Sequence, residues 1–423
     1  MSEKVPEGWD KKRLSDFSTA RRGTTYVSSE LSEDKERFPL YINMKSFKVG
    51  GGYSENGDKY FTSPYSPNQL VQDNDLLIAN TDVTDSCDIL GAPAYVPREK
   101  LKNDVLFSHH VSALNISDDV SLDFLNFLMC SEHIRLEMKR YGRGTTVKML
   151  DMRDIGKISL SIPPLPEQKK IASILTSVDE VIEKTQSQID KLQDLKKGTM
   201  NELLTKGIGH TEFKDSELGR IPKSWEEKKL GEVGQFSKGK GISKKDIISR
   251  GVPCIRYAEI YTEYDFVIKN FKSFIHPDER TNSRRLQKND IIFAGSGETV
   301  EDIGKSVAFV FDIEAYVGGD AILLSPTNEV DSVFLSYQLN DEIRRKQLRK
   351  LGQGSSVIHI YSSGLEEMQV SLPPLPEQKK IASIISSISS QIEIQARKLR
   401  QTKSLKKSLM QDLLTGKVRV SVN

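Results

Sequence analysis

Apolar residues recur at spacings of three and four along two stretches of the chain, each about 40 residues long. The first stretch follows Pro166 and the second follows Pro376, and neither contains an internal proline. This pattern predicts two coiled-coil helices, one over 163–210 and a distal one with a C-terminal tail over 373–423. At about 1.5 Å per residue, each helix is expected to be roughly 60 Å long. The apolar positions are Leu175, Val178, Ile182, Ile189, Leu192 and Leu203 in the first helix, and Ile385, Ile388, Ile392, Leu399, Leu409 and Leu413 in the second.

The two helices can bury each other's apolar stripes. An antiparallel pair that acts as a rigid spacer is the simplest arrangement, although about 160 residues lie between the two helices. The alternative is that each helix docks separately on another protein.

The rest of the chain, 1–162 and 211–372, alternates short β-rich runs with turn residues. Runs such as DLLIAN, FPLYINM, DIIFAGS, SVAFVF and AILLSP are separated by Gly, Asn, Asp and Ser. One helix per part is expected, over 121–142 and 332–352, because both segments have helical spacing and end in basic residues before a glycine. The pattern therefore predicts two mixed α/β domains.

The arrangement of a mixed α/β part followed by a long helix occurs twice in the sequence. The dodecamer PPLPEQKKIASI occurs at 163–174 and again at 373–384, an offset of 210. At the same offset GRGTTVKMLDMRDI matches GQGSSVIHIYSSGL, and KKGTMNELLTKG matches KKSLMQDLLTGK. Near the domain starts, VPEGWDKKRL matches IPKSWEEKKL. The predicted fold class is therefore an α/β (α+β) two-copy internal repeat.

Composition narrows the class of protein. The chain has 423 residues, of which 37% are hydrophobic and 28% charged. No run of 18 apolar residues and no apolar signal core is found, so a cytoplasmic protein without a membrane span is expected. Three scattered cysteines, Cys87, Cys130 and Cys254, fit a reducing compartment and exclude a cysteine-based zinc site.

The chain has a net charge of +2, but the charge is distributed unevenly along it. The two predicted domains carry −3 (1–162) and −2 (211–372), the first helical region carries 0 and the distal one +7. Nearly neutral domains argue against indiscriminate binding of polyanions, but they do not exclude a basic cleft built from local clusters.

The sequence carries few signals of catalysis. The segment EDIGKS at 301–306 is similar to the end of a phosphate loop, but position 299 is Thr where the motif needs Gly. No G-x-G-x-x-G follows a strand, and no Asn/Asp-Pro-Pro-aromatic tetrapeptide is present. His109 and His110 align with Gly318 and Gly319 in the second copy, which argues against a metal or acid–base role. No metal site and no cofactor site is predicted.

Basic and hydroxyl residues recur at matching places in both copies. In each, a helix that ends in basic residues runs into Gly-x-Gly, two hydroxyl residues and Val. Arginines, hydroxyls and free backbone N–H groups are what phosphate contacts and base-edge recognition employ. The alternative is a solvated helix end followed by a tight turn. The candidate DNA-contacting residues, taken from these clusters and from the loops after matched strands, are Arg21, Arg22, Thr24, Thr81, Thr84, Arg140, Arg143, Thr145, Thr146, Lys238, Lys240, Ser296, Thr299, Arg345, Arg349, Ser355 and Ser356.

This layout resembles the specificity subunit of type I restriction–modification enzymes. The doubled PPLPEQKKIASI, the helices ending in KKGTMNELLTKG and KKSLMQDLLTGK, and the paired PEGWDKKRL and PKSWEEKKL carry the resemblance over the whole chain. It implies two target recognition domains, separated by two long antiparallel coiled-coil helices in pseudo-two-fold symmetry. It also implies a non-catalytic protein that binds double-stranded DNA at two half-sites and docks two methyltransferase subunits.

The resemblance places all cofactors in partner subunits. S-adenosylmethionine belongs to the methyltransferase subunits, and ATP with Mg²⁺ belongs to the two restriction subunits often present. Two alternatives remain open at this point: the same DNA-recognition role in a modification-only or other defence complex, and a coiled-coil scaffold that binds no nucleic acid.

Overall fold

The computed structural model describes residues 5–301 and 303–421, which divide into two compact units. Unit 1 contains the described residues up to Gln186 and those from Arg397 onward, and unit 2 is Ser187–Ala396. Residues 1–4 of the predicted first domain, residue 302 of the loop and motif around it, and residues 422–423 of the predicted tail lie outside the described residues.

Unit 1 is built from short strands followed by helices. The strands are β1 (Asp10–Arg13), β2 (Ser18–Arg22), β3 (Leu31–Ser32), β4 (Leu40–Ile42), β5 (Lys59–Phe61), β6 (Asp75–Ala79), β7 (Thr81–Asp82), β8 (Pro93–Ala94), β9 (Val105–Phe107), β10 (Val111–Ile116), β11 (Lys148–Met149) and β12 (Ser159–Ile162). The helices are α1 (Leu122–Cys130), α2 (Glu132–Arg140), α3 (Met152–Ile155), the first half of α4 (Leu165–Lys206) and, from the second part of the unit, the last part of α10 (Leu375–Leu413).

An antiparallel sheet in the order β2-β10-β6-β8 forms the middle layer of unit 1. Alternate residues of a strand point to opposite faces. On β6, Leu76 and Ile78 share a core with Phe124 of α1, whereas Leu77 shares a core with Phe107 of the second sheet, β3-β5-β4-β9. The run LLIA at 76–79 is apolar throughout because both faces of the strand are covered.

Unit 2 repeats this order of elements. Its strands are β13 (Phe213–Ser216), β14 (Gly219–Pro222), β15 (Glu226–Lys229), β16 (Gly234–Lys238), β17 (Ile247–Ile248), β18 (Val252–Ile255), β19 (Ser273–Ile275), β20 (Arg284–Arg285), β21 (Ile291–Ala294), β22 (Ser296–Gly297), β23 (Ser306–Ala308), β24 (Tyr316–Val317), β25 (Ala321–Pro326), β26 (Ile358–His359) and β27 (Gln369–Leu372). Its helices are α5 (Leu230–Val233), α6 (Tyr257–Thr262), α7 (Ser332–Leu339), α8 (Glu342–Leu351), α9 (Ser362–Glu366) and most of α10 (Leu375–Leu413), besides the second half of α4.

The middle layer of unit 2 is the antiparallel sheet β16-β25-β21-β23. On β21, Ile291 and Phe293 share a core with Phe334 of α7, while Ile292 shares one with Val317 of the five-stranded sheet β17-β19-β18-β24-β20. The fold thus confirms the two-copy prediction, with one mixed α/β layer arrangement built twice.

The two long helices run antiparallel inside each unit. In unit 1, Ile171 and Leu175 of α4 share a core with Leu413 of α10, and the Lys406 ammonium lies 2.6 Å from the Asp179 carboxylate. In unit 2, Leu204 of α4 shares a core with Ile381 of α10. In each unit, therefore, the C-terminal part of one long helix packs on the N-terminal part of the other, which is the antiparallel arrangement that the helical pattern predicted.

The glutamate of each dodecamer fixes a neighbouring chain segment. In unit 1, Glu167 accepts hydrogen bonds from Arg419 Nε at 2.7 Å, from Arg419 Nη2 at 2.8 Å and from Trp9 Nε1 at 3.3 Å. In unit 2, Glu377 accepts one from the Ile208 amide at 2.9 Å and lies 2.8 Å from His210 Nε2. The residues after α10 are thereby tied to the start of α4 within unit 1.

The prediction of a single helix over 121–142, and of another over 332–352, is wrong. Each segment forms two helices, α1 with α2 and α7 with α8. Ser131 adopts an extended backbone (ψ 144°) and its hydroxyl donates to the Leu128 carbonyl, which ends α1. In unit 2, Asp341 accepts a hydrogen bond from the Arg344 amide and so caps a new helix.

Candidate nucleic-acid interface

The first candidate surface lies at one end of the middle sheet of unit 1. In an antiparallel sheet the end of one strand meets the beginning of the next. The register pairs Arg22, the last residue of β2, with Ser112, and pairs Val111, the first residue of β10, with Ala79 at the end of β6. Loops from three strands therefore meet here, and we call this surface end 1.

The Gly-x-Gly loop folds into a hairpin on end 1. The backbone groups of Arg143 and Met149 exchange hydrogen bonds of 2.9 and 2.8 Å, and β11 pairs with β7. Gly144 at its tip has φ +110°, and a Cβ there would lie 2.2 Å from the Val147 carbonyl oxygen. Only glycine fits this position, and the turn it allows exposes Thr145 and Thr146 to solvent.

Unit 2 has the same surface, end 2. Gln353 and His359 exchange backbone hydrogen bonds of 2.9 and 2.7 Å, and β26 pairs with β22. Gly354 has φ +125°, and a Cβ there would lie 2.1 Å from the Val357 carbonyl oxygen. The two hydroxyl residues of this tip, Ser355 and Ser356, are exposed. In both units the structure brings together the loop after the matched strand and the Gly-x-Gly loop, which the sequence identified separately.

Two histidines lie against the basic residue of end 1. The ring centroids of His109 and His110 are 3.8 Å apart, and the His109 amide donates to the Thr24 carbonyl at 2.9 Å. Burial, followed by the charges of His109 and Arg22, lowers the pKa of His110, which favours the neutral ring. Arg22 itself is exposed. The histidines, which the sequence argument set aside, thus belong to the candidate surface.

At the place in unit 2 that corresponds to the histidine pair, two backbone segments are in close contact. A Cβ on Gly239 would lie 1.9 Å from the Gly318 carbonyl oxygen, so the segments around these two glycines touch. The basic residues on either side, Lys238 and Lys240, are exposed. The same close approach occurs in unit 1, where a Cβ on Gly23 would lie 2.2 Å from the Ser108 carbonyl oxygen, so the two units differ here in side chains, a histidine pair against Gly318 and Gly319, on a similar backbone.

Several predicted contact residues are turned toward the protein. The Thr81 hydroxyl donates to Met44 Sδ at 3.1 Å, and the Ser296 hydroxyl lies 2.9 Å from His359 Nδ1; both residues are buried. Arg21 pairs with the buried Asp75 and donates to the Asn68 and Leu70 carbonyls at 3.1 Å. These groups hold loops and the hairpin of end 2 rather than face solvent.

Arg345 has a similar supporting position, because its guanidinium donates to the Ile303 carbonyl at 2.8 Å and to the Glu301 carbonyl. Thr24 is half-buried, and its backbone N–H donates to the Phe107 carbonyl at 2.8 Å.

The remaining predicted residues are at the surface, and some are paired there. Arg143 forms an ion pair with Asp154, Arg349 lies 3.4 Å from Glu342, and the Thr84 hydroxyl donates to Asp82 at 2.8 Å. Arg140, in the last turn of α2, and Thr299, in the loop after β22, are both exposed.

Asp82 is a residue that the sequence argument missed. Its buried carboxylate accepts hydrogen bonds from the Thr84 amide and hydroxyl and from the Ile89 and Leu90 amides, at 2.7 to 3.0 Å. Burial alone would raise the pKa of Asp82, but these hydrogen bonds hold it below its ordinary value. The carboxylate fixes the loop 83–90 beside the hairpin. The Asp-x-Thr spacing, typical of a local turn, was the available signal.

Across 5–301 and 303–421, no group of three or more His, Cys, Asp or Glu side chains is placed to hold a metal ion. Within the same ranges, no helix has the length and apolar character needed to cross a membrane.

Comparison with known proteins gives consistent matches along the chain. The family model described as "Type I restriction modification DNA specificity domain" matches twice, at residues 6–194 and 222–403. The MjaVIII type I restriction enzyme specificity subunit of Methanocaldococcus jannaschii is 29% identical, over 99% of this chain and 94% of that protein. The StySPI specificity subunit of Salmonella potsdam is 20% identical, over 98% of this chain and 89% of that protein.

Solved structures show the same fold. The S subunit of the type I restriction–modification system from M. genitalium superposes with a TM-score of 0.59 at 16% identity, over 97% of both chains. A chain from a structural study of complex assembly and conformational transition in the type I R-M system gives a TM-score of 0.54 at 16% identity. That match covers 98% of this chain and 100% of the other.

Proposed function

The chain belongs to the type I restriction–modification DNA specificity family, and we propose that it recognises an asymmetric bipartite sequence in double-stranded DNA, one half-site per unit. As a specificity subunit it has no catalytic role of its own. In this proposal, end 1 and end 2 are the surfaces that contact the two half-sites.

One observation carries the proposal. The same sheet end, with the same hairpin, is built in both units, but the side chains on it differ: Thr145 and Thr146 at one tip, Ser355 and Ser356 at the other. The loop after the matched strand differs as well, NTDVTDS against GSGETVED. A repeated scaffold with different loops is the arrangement expected of two sites that bind different sequences in the same way.

The surface positions suggest a division of roles. Exposed cations beside the hairpins, among them Arg22, Arg140, Lys238 and Lys240, are suited to phosphates, which fix position without sequence information. Hydroxyls at the tips are suited to base edges, because Ser and Thr can donate to or accept from them. Buried Thr81 and Ser296 contribute through the loops that they hold.

The catalytic work is assigned to partners. We propose that two methyltransferase subunits, which use S-adenosylmethionine, assemble with this chain through its long helices, and that two restriction subunits driven by ATP join them. The internal duplication supports the number two, since identical partners require equivalent docking surfaces.

Exchange of one recognition domain tests the proposal. Residues 1–162 are replaced by the first domain of another family member that recognises a different sequence, and methylated sites are mapped across a host genome. We expect one half-site to change while the other is retained. The reciprocal exchange of 211–372 is the control and should change only the other half-site. A change of both half-sites in either exchange would contradict one half-site per unit.

A further inference from the structure

The loop after β7 begins opposite the Gly-x-Gly hairpin of end 1. Toward the hairpin tip, the last paired residues of β7 and β11 are Asp82 and Lys148, so Val83 and Val147 come next on the two strands. Residues that oppose each other across an antiparallel pair have neighbouring side chains. Both valines are exposed, Val83 to 71% and Val147 to 41%. Two apolar side chains are therefore open to solvent together at end 1.

End 2 has a different pair of residues at the same place. The last paired residues here are Gly297 and Ile358, and the next ones are Glu298 and Val357, both exposed. The hairpin keeps its valine, but the loop has a carboxylate where end 1 has an isopropyl group. Across 5–301 and 303–421, Glu298 forms no ion pair and no side-chain hydrogen bond. Positions 83 and 298 thus occupy the same place on the two scaffolds and differ in chemistry.

The chain next to each of these positions is held by side-chain hydrogen bonds. In unit 1 the buried Asp82 carboxylate, just before position 83, accepts from the Thr84 amide at 2.7 Å, just after it. In unit 2 the Tyr261 hydroxyl donates to the Ser296 carbonyl at 2.9 Å, two residues before position 298. A side chain on a backbone that is already ordered loses little freedom when it binds, which favours discrimination between ligands.

Neither side chain is suited to the DNA backbone. An isopropyl group offers no hydrogen bond to a phosphate oxygen, and a carboxylate is repelled by phosphate charge. Base edges do offer partners in the major groove: apolar side chains contact the thymine methyl group, and a glutamate accepts from an exocyclic amino group. The same groove admits a two-stranded β-ribbon, which the hairpin and its partner strand form at each end.

We propose that Val83 and Glu298 are specificity-determining residues. Val83, with Val147 opposite it, contacts a thymine methyl group in one half-site, and Glu298 accepts a hydrogen bond from the amino group of cytosine or adenine in the other. This inference rests on the proposed function and adds to it the base chemistry that each half-site contains. The valine that both hairpins share cannot distinguish the half-sites, so the difference lies on the loop side.

Removal of one methyl group from DNA tests the contact of Val83. The full-length chain is assembled with its methyltransferase partner, and each thymine of the half-site of unit 1 is replaced in turn by deoxyuridine, which lacks only that methyl group. One replacement should lower the affinity of the parent complex about fourfold. With Val83→Ala the same replacement should have no effect, because the apolar partner of the methyl group is gone.

A change of side chain tests the contact of Glu298. Duplexes that carry each of the four base pairs at each position of the half-site of unit 2 compete for the parent complex and for Glu298→Val. At one position the parent should prefer one base pair over the others roughly 5- to 150-fold, and Glu298→Val should lose that preference there while it keeps the preferences at all other positions. The base pair that the parent prefers distinguishes cytosine from adenine.

Two matched controls make the same types of change away from end 1 and end 2. Val418→Ala lies in the tail after α10, and Glu329→Val lies after the last residue of β25, whose first residue is at end 2; both positions are exposed. Each control should keep the response of the parent complex to deoxyuridine and its base preferences. Melting temperatures of all variants should equal that of the parent chain, which separates a lost contact from a loss of folding.

Each contact is decided by its own result. A parent complex that no deoxyuridine weakens, or a weakening that persists in folded Val83→Ala, would overturn the contact of Val83. Parent base preferences at every position in folded Glu298→Val would overturn the contact of Glu298, and so would an equal loss of preference in Glu329→Val. A failure of the proposed function would appear separately, as a change of both half-sites after the exchange of one recognition domain.

Discussion

Replacement of Gly354 by alanine should weaken recognition of one half-site only. The residue has φ +125°, and the new Cβ would lie 2.1 Å from the Val357 carbonyl oxygen, far inside a normal contact. A residue held in so strained a backbone conformation costs about 1–3 kcal/mol. The free hairpin should therefore relax into a different shape, and that free energy must be supplied again when the tip fits DNA. At about tenfold per 1.4 kcal/mol, affinity should fall roughly 5- to 150-fold.

The measurement uses the assembled complex and two DNA duplexes, each with one half-site randomised. Gly354→Ala should weaken binding where the half-site of unit 2 is intact and leave the other duplex unaffected. Gly144→Ala, with a Cβ 2.2 Å from the Val147 carbonyl oxygen, should show the opposite preference. Gly198→Ala is the control: it lies within α4 with open space around its Cβ, so about 1 kcal/mol of helix stability should be gained and binding unchanged. Affinity within twofold of the parent for a folded Gly354→Ala protein would refute the role of the tip.

Three further results are expected. Arg143→Ala and Arg349→Ala each remove a cation that can exchange its surface ion pair for a DNA phosphate, so each should reduce the slope of log affinity against log salt concentration by about 0.9. Slopes identical to that of the parent chain would show that both arginines are solvated helix ends. Arg344→Leu should lower the free energy of unfolding by about 3–5 kcal/mol, because the carboxylate of Asp341, whose side chain is 11% exposed, loses its ion-pair partner. Urea denaturation measures this, and a loss below about 1 kcal/mol would contradict it. The hydrogen bonds from Arg419 hold the pKa of Glu167 below its ordinary value of 4.5, so the stabilisation is complete above that pH and is lost as the pH falls through the folded pKa. Proteolysis of the tail should rise over that acid range, and a tail equally protected at every pH would refute the link.

The repeat and the long helices were predictable because their signals are local. The dodecamer is repeated letter for letter, and a stripe at spacings of three and four continues for about 40 residues, so neither depends on distant contacts. The break at Ser131 was not predictable from periodicity. Apolar residues continue at helical spacing on both sides of it. The helix ends because Ser131 adopts an extended backbone and donates to the Leu128 carbonyl through both its N–H and its hydroxyl.

The candidate site was predictable in its loops but not in its orientations. Both Gly-x-Gly loops were identified from their recurrence, and the second glycine of each, Gly144 and Gly354, has the positive φ that the turn requires. Thr81 and Ser296 lie just after the two matched strands. The sequence cannot show whether a residue at that place faces solvent or pairs with another strand. Both do pair, with residues 68 and 63 positions away, and their side chains are buried as a result.

The composition of unit 1 from two separate parts of the chain has a consequence for its folding during synthesis. Unit 2 is continuous, so all of its residues are available once Ala396 has left the ribosome. Unit 1 begins earlier but lacks the helix segment that brings Leu413 to its core and the arginine that binds Glu167. Domains generally fold in the order in which they are synthesised. Here unit 2 can complete its fold before unit 1, although the synthesis of unit 1 begins first. The first domain to emerge is the last to be finished, so a prematurely terminated chain presents one complete unit and one that remains open to proteases.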